Sequence, residues 1–229
     1  VLISLPSRPL RKISSIFLAE AWKKNNIEEV NTVYKKSIST LFLIGTLIYV
    51  GIIINLDNIF EIIPKYESGR NVIILIGAAY LVDMLSGTSA SIISNSKHYK
   101  VLGYIMMATV GLVIITNIIF IPIWQLTGAA FASFITIVIA FFMRFLFLYF
   151  KYKLQPYFYK HFLILIIGAL MLVVNYFIPE NNNFILDIII RSSVITVLFI
   201  SLSYFLKISE DANKLINLIL SKFGIVSLK

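Results

Sequence analysis

Ionisable side chains inside apolar stretches are the residues of this sequence best placed to do chemistry. Asp83 lies near the middle of one such stretch, and on a helical wheel it shares a face with small and polar residues such as Ser86 and Gly87. A carboxylate in a membrane helix is costly and usually faces protein or water. Asp83 is therefore expected either to bind a coupling ion or a substrate hydroxyl, or to join two helices through hydrogen bonds.

Three cations in the first 21 residues suggest an anionic ligand. Arg8, Arg11 and Lys12 share one face of a helix. Small and aromatic residues complete that face: Ser4, Ser15, Ala19 and Trp22. Because three cations facing lipid would be costly, they are expected to line a water-filled cavity or to contact an anion. If the segment is not a full span, the same cations would lie at the lipid headgroups instead.

Three further ionisable residues have more local explanations. Arg144 lies six residues from the cytoplasmic end of its apolar stretch, so its long side chain is expected to reach the headgroups. Asp187 and Arg191 are four residues apart near the outer end of the last stretch. That spacing places them on one helical face, and it predicts a local ion pair.

Signals of enzyme chemistry are missing from the sequence. His98 and His161 are the only histidines, and there is no cysteine. The sequence also has no nucleotide-binding glycine loop and no nucleophile elbow. We therefore expect no catalytic residue, no metal site, no cofactor and no enzymatic activity.

The composition is that of a membrane protein. Hydrophobic residues make up 59% of the chain and charged residues only 14%, against about 25% charged residues in soluble domains. The net charge of +9 could suggest nucleic acid. The basic residues, however, lie in short gaps between apolar stretches and form no nucleic-acid motif, so membrane topology explains them better.

The apolar stretches predict an all-α fold, a polytopic membrane helical bundle. A helix needs about 20 apolar residues to cross the hydrocarbon core. Six stretches qualify as full transmembrane helices: Ser37–Asn55, Asn71–Ile93, Val101–Ile121, Thr127–Phe150, His161–Ile178 and Phe184–Leu206. Val1–Ala21 is expected to be a partial N-terminal span. The chain begins with Val1, and we interpret it as a fragment that lacks its N-terminal part.

The gaps between these stretches predict the orientation of the bundle. Four alternate segments hold four, two, three and four Lys or Arg, a total of 13: Trp22–Lys36, Ser94–Lys100, Lys151–Lys160 and Lys207–Lys229. The opposite segments hold only 2: Leu56–Arg70, Pro122–Leu126 and Pro179–Asn183. The excess of cations marks the cytoplasmic side. Residues 207–229 are expected to form a cytoplasmic amphipathic tail at the membrane interface.

Two motifs around a short outer turn carry a family resemblance. Gly128, Ala132 and Thr136 recur every four residues, a spacing that lets another helix approach closely. The whole stretch Asn117–Ser133, with Ile-Pro before the turn and Gly-Ala-Ala after it, resembles a signature of polysaccharide-export flippases. Gln125 stands where those proteins usually have Gly. The stretches Leu5–Ile13, Leu18–Lys24, Tyr34–Ser37 and Pro64–Arg70 are similar to the start of the second lobe of these proteins.

The resemblance is to the multidrug/oligosaccharidyl-lipid/polysaccharide exporter superfamily, which also contains the MATE drug exporters. It implies a MATE-like protein of 12 to 14 helices in two lobes. Residues 1–150 would form most of the second transport lobe, and residues 151–206 two additional transmembrane helices.

The resemblance implies a membrane transporter, a flippase, of the bacterial cytoplasmic (inner) membrane. It would move undecaprenyl-pyrophosphate-linked oligosaccharide to the outer leaflet. The product would serve the biosynthesis of surface polysaccharide, such as the O-antigen of lipopolysaccharide. The partners of this transporter would be the lipid-linked oligosaccharide, membrane lipids and a coupling ion, H⁺ or Na⁺. Arg8, Arg11, Lys12 and Asp83 would line the substrate-binding cavity.

Three other functions remain open on the sequence alone. A MATE-like exporter of drugs or small molecules would favour an acidic cavity, whereas three cations face Asp83 here. A membrane-embedded polysaccharide polymerase usually has catalytic residues in a large outer loop, but the longest outer gap, Leu56–Arg70, has no histidine. The last alternative is a membrane scaffold without transport activity.

Overall fold

The described part of the chain is entirely helical. A computed structural model describes residues 2–181 and 183–222, and within these ranges it contains no β-strand. The same ranges contain nine α-helices: α1 (Ser7–Lys23), α2 (Ile27–Ile54), α3 (Leu56–Ile62), α4 (Arg70–Leu85), α5 (Ser89–Ser94), α6 (Tyr99–Tyr152), α7 (Tyr159–Tyr176), α8 (Phe184–Phe205) and α9 (Glu210–Lys222). The prediction of an all-α fold is therefore confirmed.

Among the described residues, five helical segments are long and apolar enough to cross a membrane, which indicates a multi-pass membrane protein. They are Ile27–Ile54, Pro64–Leu85, Tyr99–Tyr152, Tyr159–Tyr176 and Phe184–Phe205. Helix α1 is not among them, so the predicted partial span at the N-terminus remains a prediction; Val1 itself lies outside the described residues. Helix α2 has the most buried span, at 56%, because α1, α4, α7 and α8 all pack around it.

The 54-residue helix α6 is a hairpin of two arms. Residue Gln125 interrupts it with φ 49° and ψ −123°. The hydroxyls of Thr116 and Thr136 lie 3.3 Å apart across that point, whereas 20 residues of straight helix would separate them by about 30 Å. At the far ends of the arms, His98 Nδ1 lies 2.8 Å from Tyr152 Oη. The chain therefore reverses at Gln125, where the sequence predicts the outer turn.

A glycine lets the two arms of α6 meet. A Cβ atom on Gly128 would lie 2.0 Å from the carbonyl oxygen of Phe120 in the other arm. Only glycine fits such an approach of backbone to backbone. Trp124 stacks on the Phe120 ring, and the Phe131 ring packs edge-on against both, so aromatic contacts close the turn around this glycine.

Two hydrophobic clusters lie on either side of α2. One joins α1, α2, α5 and α6, and its buried members include Leu18, Ile92 and Leu148. The other joins α2 to α7 and α8 through residues such as Phe42 and Phe199. Many other large apolar side chains on α6, α7 and α8 are exposed, as expected for surfaces that face lipid.

The segments at both ends of the bundle are helical. The predicted outer gap contains α3 and a 3-10 turn over Pro64–Gly69. The predicted amphipathic tail forms α9, whose Asn217 accepts a 2.7 Å hydrogen bond from the Tyr204 hydroxyl. Residues 223–229 of that tail, including Phe223, lie outside the described residues.

Candidate functional site

Asp83 lies between two arginines from different helices. Its Oδ2 accepts a hydrogen bond from Arg11 Nη2 of α1 at 2.9 Å, and its Oδ1 lies 3.6 Å from Arg144 Nη2 of α6. The three side chains are partly buried, with 23% of Asp83, 29% of Arg11 and 16% of Arg144 exposed. Two guanidinium groups thus share one carboxylate, and the cluster has a net positive charge.

The cluster lies at depth in the bundle. Arg144 is eight residues from the end of α6 at Tyr152, which corresponds to about 12 Å of helix, and Arg11 is twelve residues from the end of α1 at Lys23, or about 18 Å. Both arginines therefore lie well inside their helices, and Arg144 neighbours Tyr34 and Tyr157 from segments that are predicted to be cytoplasmic.

The helix that carries Asp83 is interrupted shortly after this residue. The sequence predicts one continuous helix over Asn71–Ile93, and this prediction is wrong, because α4 ends at Leu85 and α5 begins at Ser89. Gly87 lies in the break with φ +56°, and a Cβ there would lie 2.5 Å from Ile38 Cγ1. Glycine is therefore required both by its backbone conformation and by the space available.

Side chains donate further hydrogen bonds to carbonyl groups at the end of α4. Arg11 Nη2 donates to the carbonyl oxygen of Asp83 at 2.8 Å, which also accepts from the backbone N–H and the hydroxyl of Ser86 at 3.1 and 2.8 Å. The Tyr157 hydroxyl donates to the carbonyl oxygen of Leu85 at 3.3 Å. Carbonyls in the last turn of a helix have no partner further along the helix, so the cluster combines an ion pair with a hydrogen-bonded helix end.

Several buried polar atoms of the same region make no hydrogen bond of standard geometry with the described residues. They are Arg11 Nε, Arg144 Nε, Tyr34 Oη and Ser89 Oγ. Tyr34 is fully buried, and its hydroxyl lies beside Tyr157, Arg144 and Ser89. Because buried donors are usually satisfied, the two arginine Nε atoms are the groups of this cluster whose donors remain to be accounted for.

Tyr157 contributes a neutral donor to the cluster. It lies in the segment between α6 and α7. Burial, reinforced by the neighbouring Tyr34, raises the pKa of Tyr157 well above its ordinary value. Its hydroxyl therefore keeps its proton at physiological pH and remains able to donate a hydrogen bond.

The other two cations predicted to line the site take different positions. Arg8 and Lys12 are exposed, and neither forms an ion pair with a residue that the structure describes. Arg11, three residues after Arg8, is the member of the predicted trio that contacts Asp83. The structure therefore joins two of the four predicted site residues directly and leaves the other two on the exposed surface of α1.

Arg144 belongs to the cluster although its sequence position suggests a role at the headgroups. Its side chain turns inward to Asp83. The sequence does contain a signal for this contact, because an arginine and an aspartate in two different apolar stretches can neutralise each other only if their side chains are in contact. The contacts of Tyr34 and Tyr157 have no comparable signal in the sequence.

A second buried polar cluster lies near the end of α7 and the start of α8. Arg191 Nε donates to Asp187 Oδ2, which confirms the predicted local ion pair. Asn58 and the backbone N–H of Asn181 donate to the same carboxylate at 2.7 and 3.0 Å, and Arg191 donates to Asn175 at 3.0 Å. Asp187 and Arg191 are thus satisfied by protein groups, unlike the cluster around Asp83.

The described residues contain no group of three or more His, Cys, Asp or Glu side chains that could hold a metal ion. Comparison of the chain with protein-family models, with curated proteins and with solved structures found no match.

Proposed function

We propose that this chain is a lobe of a transporter that flips undecaprenyl-pyrophosphate-linked oligosaccharide across the bacterial cytoplasmic membrane. The observation that carries the proposal is the pair Arg11 and Arg144, which share the carboxylate of Asp83 inside the bundle and whose buried Nε–H groups have no acceptor among the described residues.

A diphosphate fits the donors of this cluster. Arginine binds phosphate oxygens through two parallel N–H groups, and such charge-assisted hydrogen bonds are about twice as strong as neutral ones. The Tyr34 hydroxyl adds a buried neutral donor. A phosphate anion needs such partners to cross a layer of low dielectric, since the penalty for burying an unpaired charge is large. Asp83 then acts as the counter-ion that holds the arginines when no substrate is bound.

The arrangement of the helices agrees with this function. With α6 divided at Gln125, the chain would cross the membrane six times, as the 13-to-2 distribution of Lys and Arg requires. The turn lies within the stretch that resembles polysaccharide-export flippases. We therefore interpret the bundle as the second lobe of a MATE-like transporter, with H⁺ or Na⁺ as the coupling ion. A broken helix beside the substrate site is a recurrent feature of transporters.

The alternative functions fit the cluster less well. A drug exporter of the MATE type binds cations, and a cluster with two arginines and one aspartate would repel them. A polysaccharide polymerase would need reactive groups on the outer side. The described residues there include the buried pair Asp187 and Arg191, which is occupied by protein partners. They also include several carboxylates, such as Asp57 and Glu61, but no histidine.

The proposal is tested by outward flipping of a fluorescent lipid-linked oligosaccharide in proteoliposomes that contain the full-length protein. Each charged hydrogen bond contributes about 1.5–3 kcal/mol, so Arg11→Ala or Arg144→Ala should weaken binding of the diphosphate lipid roughly 10- to 100-fold. Arg144→Lys should restore only part of the loss, because lysine cannot form the two-pronged contact.

Three variants serve as comparisons. Arg70→Ala removes an arginine that pairs with Asp57 outside the cluster, and it should flip substrate at the normal rate. Arg8→Ala and Lys12→Ala should have smaller effects than Arg11→Ala, because both side chains are exposed. Normal flipping by the Arg11→Ala/Arg144→Ala double variant at matched expression would refute the proposed function.

A further inference from the structure

An open cavity, here called the Trp22 pocket, lies at the ends of α1 and α6 that are predicted to be cytoplasmic. Its volume is about 470 Å³, and Trp22 and Tyr152 form an aromatic wall. Lys23, Lys97 and His98 supply basic groups. No carboxylate lines the pocket among the described residues. A cavity with basic groups and no acid favours an anionic ligand.

The aromatic wall is held in place by hydrogen bonds. Trp22 Nε1 donates to the carbonyl oxygen of Ile92 at 3.1 Å, and Tyr152 Oη lies 2.8 Å from His98 Nδ1. The Trp22 and Tyr152 rings contact each other, with centroids 4.8 Å apart at 59°, so they leave no slot between them for a flat nucleobase. Fixed rings of this kind offer apolar surface at low entropic cost, which suits the C–H face of a sugar ring.

Two lysines at the rim of the pocket form no ion pair with the described residues, although Lys23 lies near Glu20. Lys23 and Lys97 are exposed, and neither takes part in an ion pair within the described ranges. The adjacent Lys24 is different, because its Nζ lies 2.7 Å from Glu20 Oε1. An ammonium group binds phosphate as a point charge, so the two lysines can neutralise a phosphate held at the rim.

Asparagine side chains in the pocket suit the hydroxyl groups of a sugar. Asn25 follows the end of α1 and has a left-handed conformation with φ 53°. Asn95 donates both to Ser15 Oγ at 3.2 Å and to the carbonyl oxygen of Ser91 at 2.8 Å. Its donors are thus used within the protein, while its amide oxygen is the group that can accept a hydrogen bond from a ligand hydroxyl.

We propose that the Trp22 pocket binds a phosphorylated sugar ring on the cytoplasmic side, as a loading subsite for the glycan. The proposal rests on the function given above, since it is the substrate's own sugar that would dock there. Trp22 and Arg11 are eleven residues apart on α1, which is about 16 Å of helix, so the pocket and the arginine pair are separate sites. The polar side chain of Ser15 lies between them on the same helix and contacts Asn95.

The test uses fluorescence of the full chain in nanodiscs of phosphatidylcholine, which avoids sugar-based detergents. Because the chain has two tryptophans, Trp124→Phe leaves Trp22 as the only reporter. N-acetylglucosamine 1-phosphate should change its emission in a saturable way. Lys23→Ala/Lys97→Ala in that background should weaken binding at least about tenfold through loss of the two phosphate contacts. The control Lys65→Ala, on the opposite side, should bind normally.

Further measurements distinguish the Trp22 pocket from the arginine pair, and the proposed sugar phosphate from other ligands. Arg11→Ala/Arg144→Ala should leave the Trp22 titration unchanged while it abolishes binding of inorganic pyrophosphate. If that variant also loses the sugar phosphate, the second subsite does not exist. If the wild-type protein does not flip the lipid-linked oligosaccharide but the Trp22 titration is still saturable, the proposed function is wrong and the pocket remains a site for sugar phosphate. Displacement of the sugar phosphate by phosphatidylglycerol, or tighter binding of uridine monophosphate, would replace the proposed ligand with a lipid headgroup or a nucleotide.

Discussion

Asp83 is surrounded by more positive charge than it can neutralise. Arg11 and Arg144 approach its two oxygens from different helices, and Arg11 also binds its backbone carbonyl. The carboxylate is therefore a structural link between α1, α4 and α6 and at the same time the group with which an incoming anion must compete. Both roles considered for Asp83 from the sequence meet in this one geometry.

We expect Asp83→Asn to bind inorganic pyrophosphate more tightly than the wild type and to flip lipid-linked oligosaccharide more slowly. The amide keeps the shape of the side chain but leaves two positive charges without a counter-ion, so an anion binds better and is released less readily. Calorimetric titration of the purified protein and the flipping assay measure the two quantities. Weaker pyrophosphate binding would show that Asp83 contacts the ligand directly.

The buried pair Asp187 and Arg191 should behave as a structural element. Arg191→Met leaves Asp187 charged and buried, and it should destabilise the protein by about 3–5 kcal/mol. The double variant Asp187→Leu/Arg191→Met should recover most of that loss, because both charges are removed together. The measurement is the thermal unfolding midpoint of each variant in the same detergent.

Flipping activity gives the control for this pair. At matched amounts of folded protein, the double variant should flip substrate at a rate near that of the wild type. A double variant that is as stable as the wild type but inactive would place Asp187 and Arg191 in the transport mechanism.

At the scale of residues, the sequence identifies charges well and their partners poorly. Asp83 and the Asp187–Arg191 pair could be found because hydropathy and helical spacing are local properties. The contact of Arg144 with Asp83 joins α6 to α4, and that of Tyr157 joins a connecting segment to the end of α4. Such pairings depend on how helices are arranged, for which a single sequence has no local signal.

The turn inside α6 brings the backbones of its two arms into close contact at Gly128. Gly128→Ala should destabilise the protein strongly, because its Cβ would lie 2.0 Å from the Phe120 carbonyl oxygen and neither backbone can move without separating the arms. Overpacking of this kind costs typically 1–3 kcal/mol and occasionally more. Gly111→Ala is the matched control, since nothing lies within 4 Å of a Cβ there.

Thermal unfolding midpoints of the two alanine variants distinguish them. Gly111→Ala should be neutral or slightly stabilising, because alanine is the better helix former by about 1 kcal/mol. Equal midpoints for both variants would show that the arms of α6 are not in close contact at Gly128.

The break between α4 and α5 shows the limit of prediction at the scale of elements. Hydropathy over Asn71–Ile93 is continuous, so an averaged profile indicates one helix. The structure interrupts it because Gly87 adopts a positive φ and the Ser37 hydroxyl binds both the backbone N–H and the hydroxyl of Thr88. These are contacts with α2, and they cannot be derived from the local composition.

The orientation of the whole molecule is testable because the chain has no cysteine. Lys97→Cys should react with an impermeant thiol reagent only after the cells are permeabilised, whereas Lys65→Cys should react in intact cells. The reason is the excess of Lys and Arg in the segments predicted to be cytoplasmic. Both side chains are exposed, so a failure to react is not due to burial. Reaction of Lys97→Cys in intact cells would show that the predicted orientation is inverted.

At the scale of the molecule, composition predicts most of the fold. Long apolar stretches and a low content of charge require a helical membrane bundle, because backbone groups in lipid must be paired within each segment. The boundaries of α7 and α8 agree closely with the predicted stretches His161–Ile178 and Phe184–Leu206. The inward position of α2 and the pairing of the arms of α6 are properties of packing and required the structure.

The link between Arg11 and Asp83 also constrains how the chain is made. The two residues are 72 positions apart, and Arg144 is synthesised later still. While α1 leaves the ribosome, Asp83 has not yet been made, and an arginine without its counter-ion partitions poorly into hydrocarbon. The contact between Arg11 and Asp83 can form only after α4 has been inserted, so we expect α1 to reach its final position later than its place in the sequence suggests.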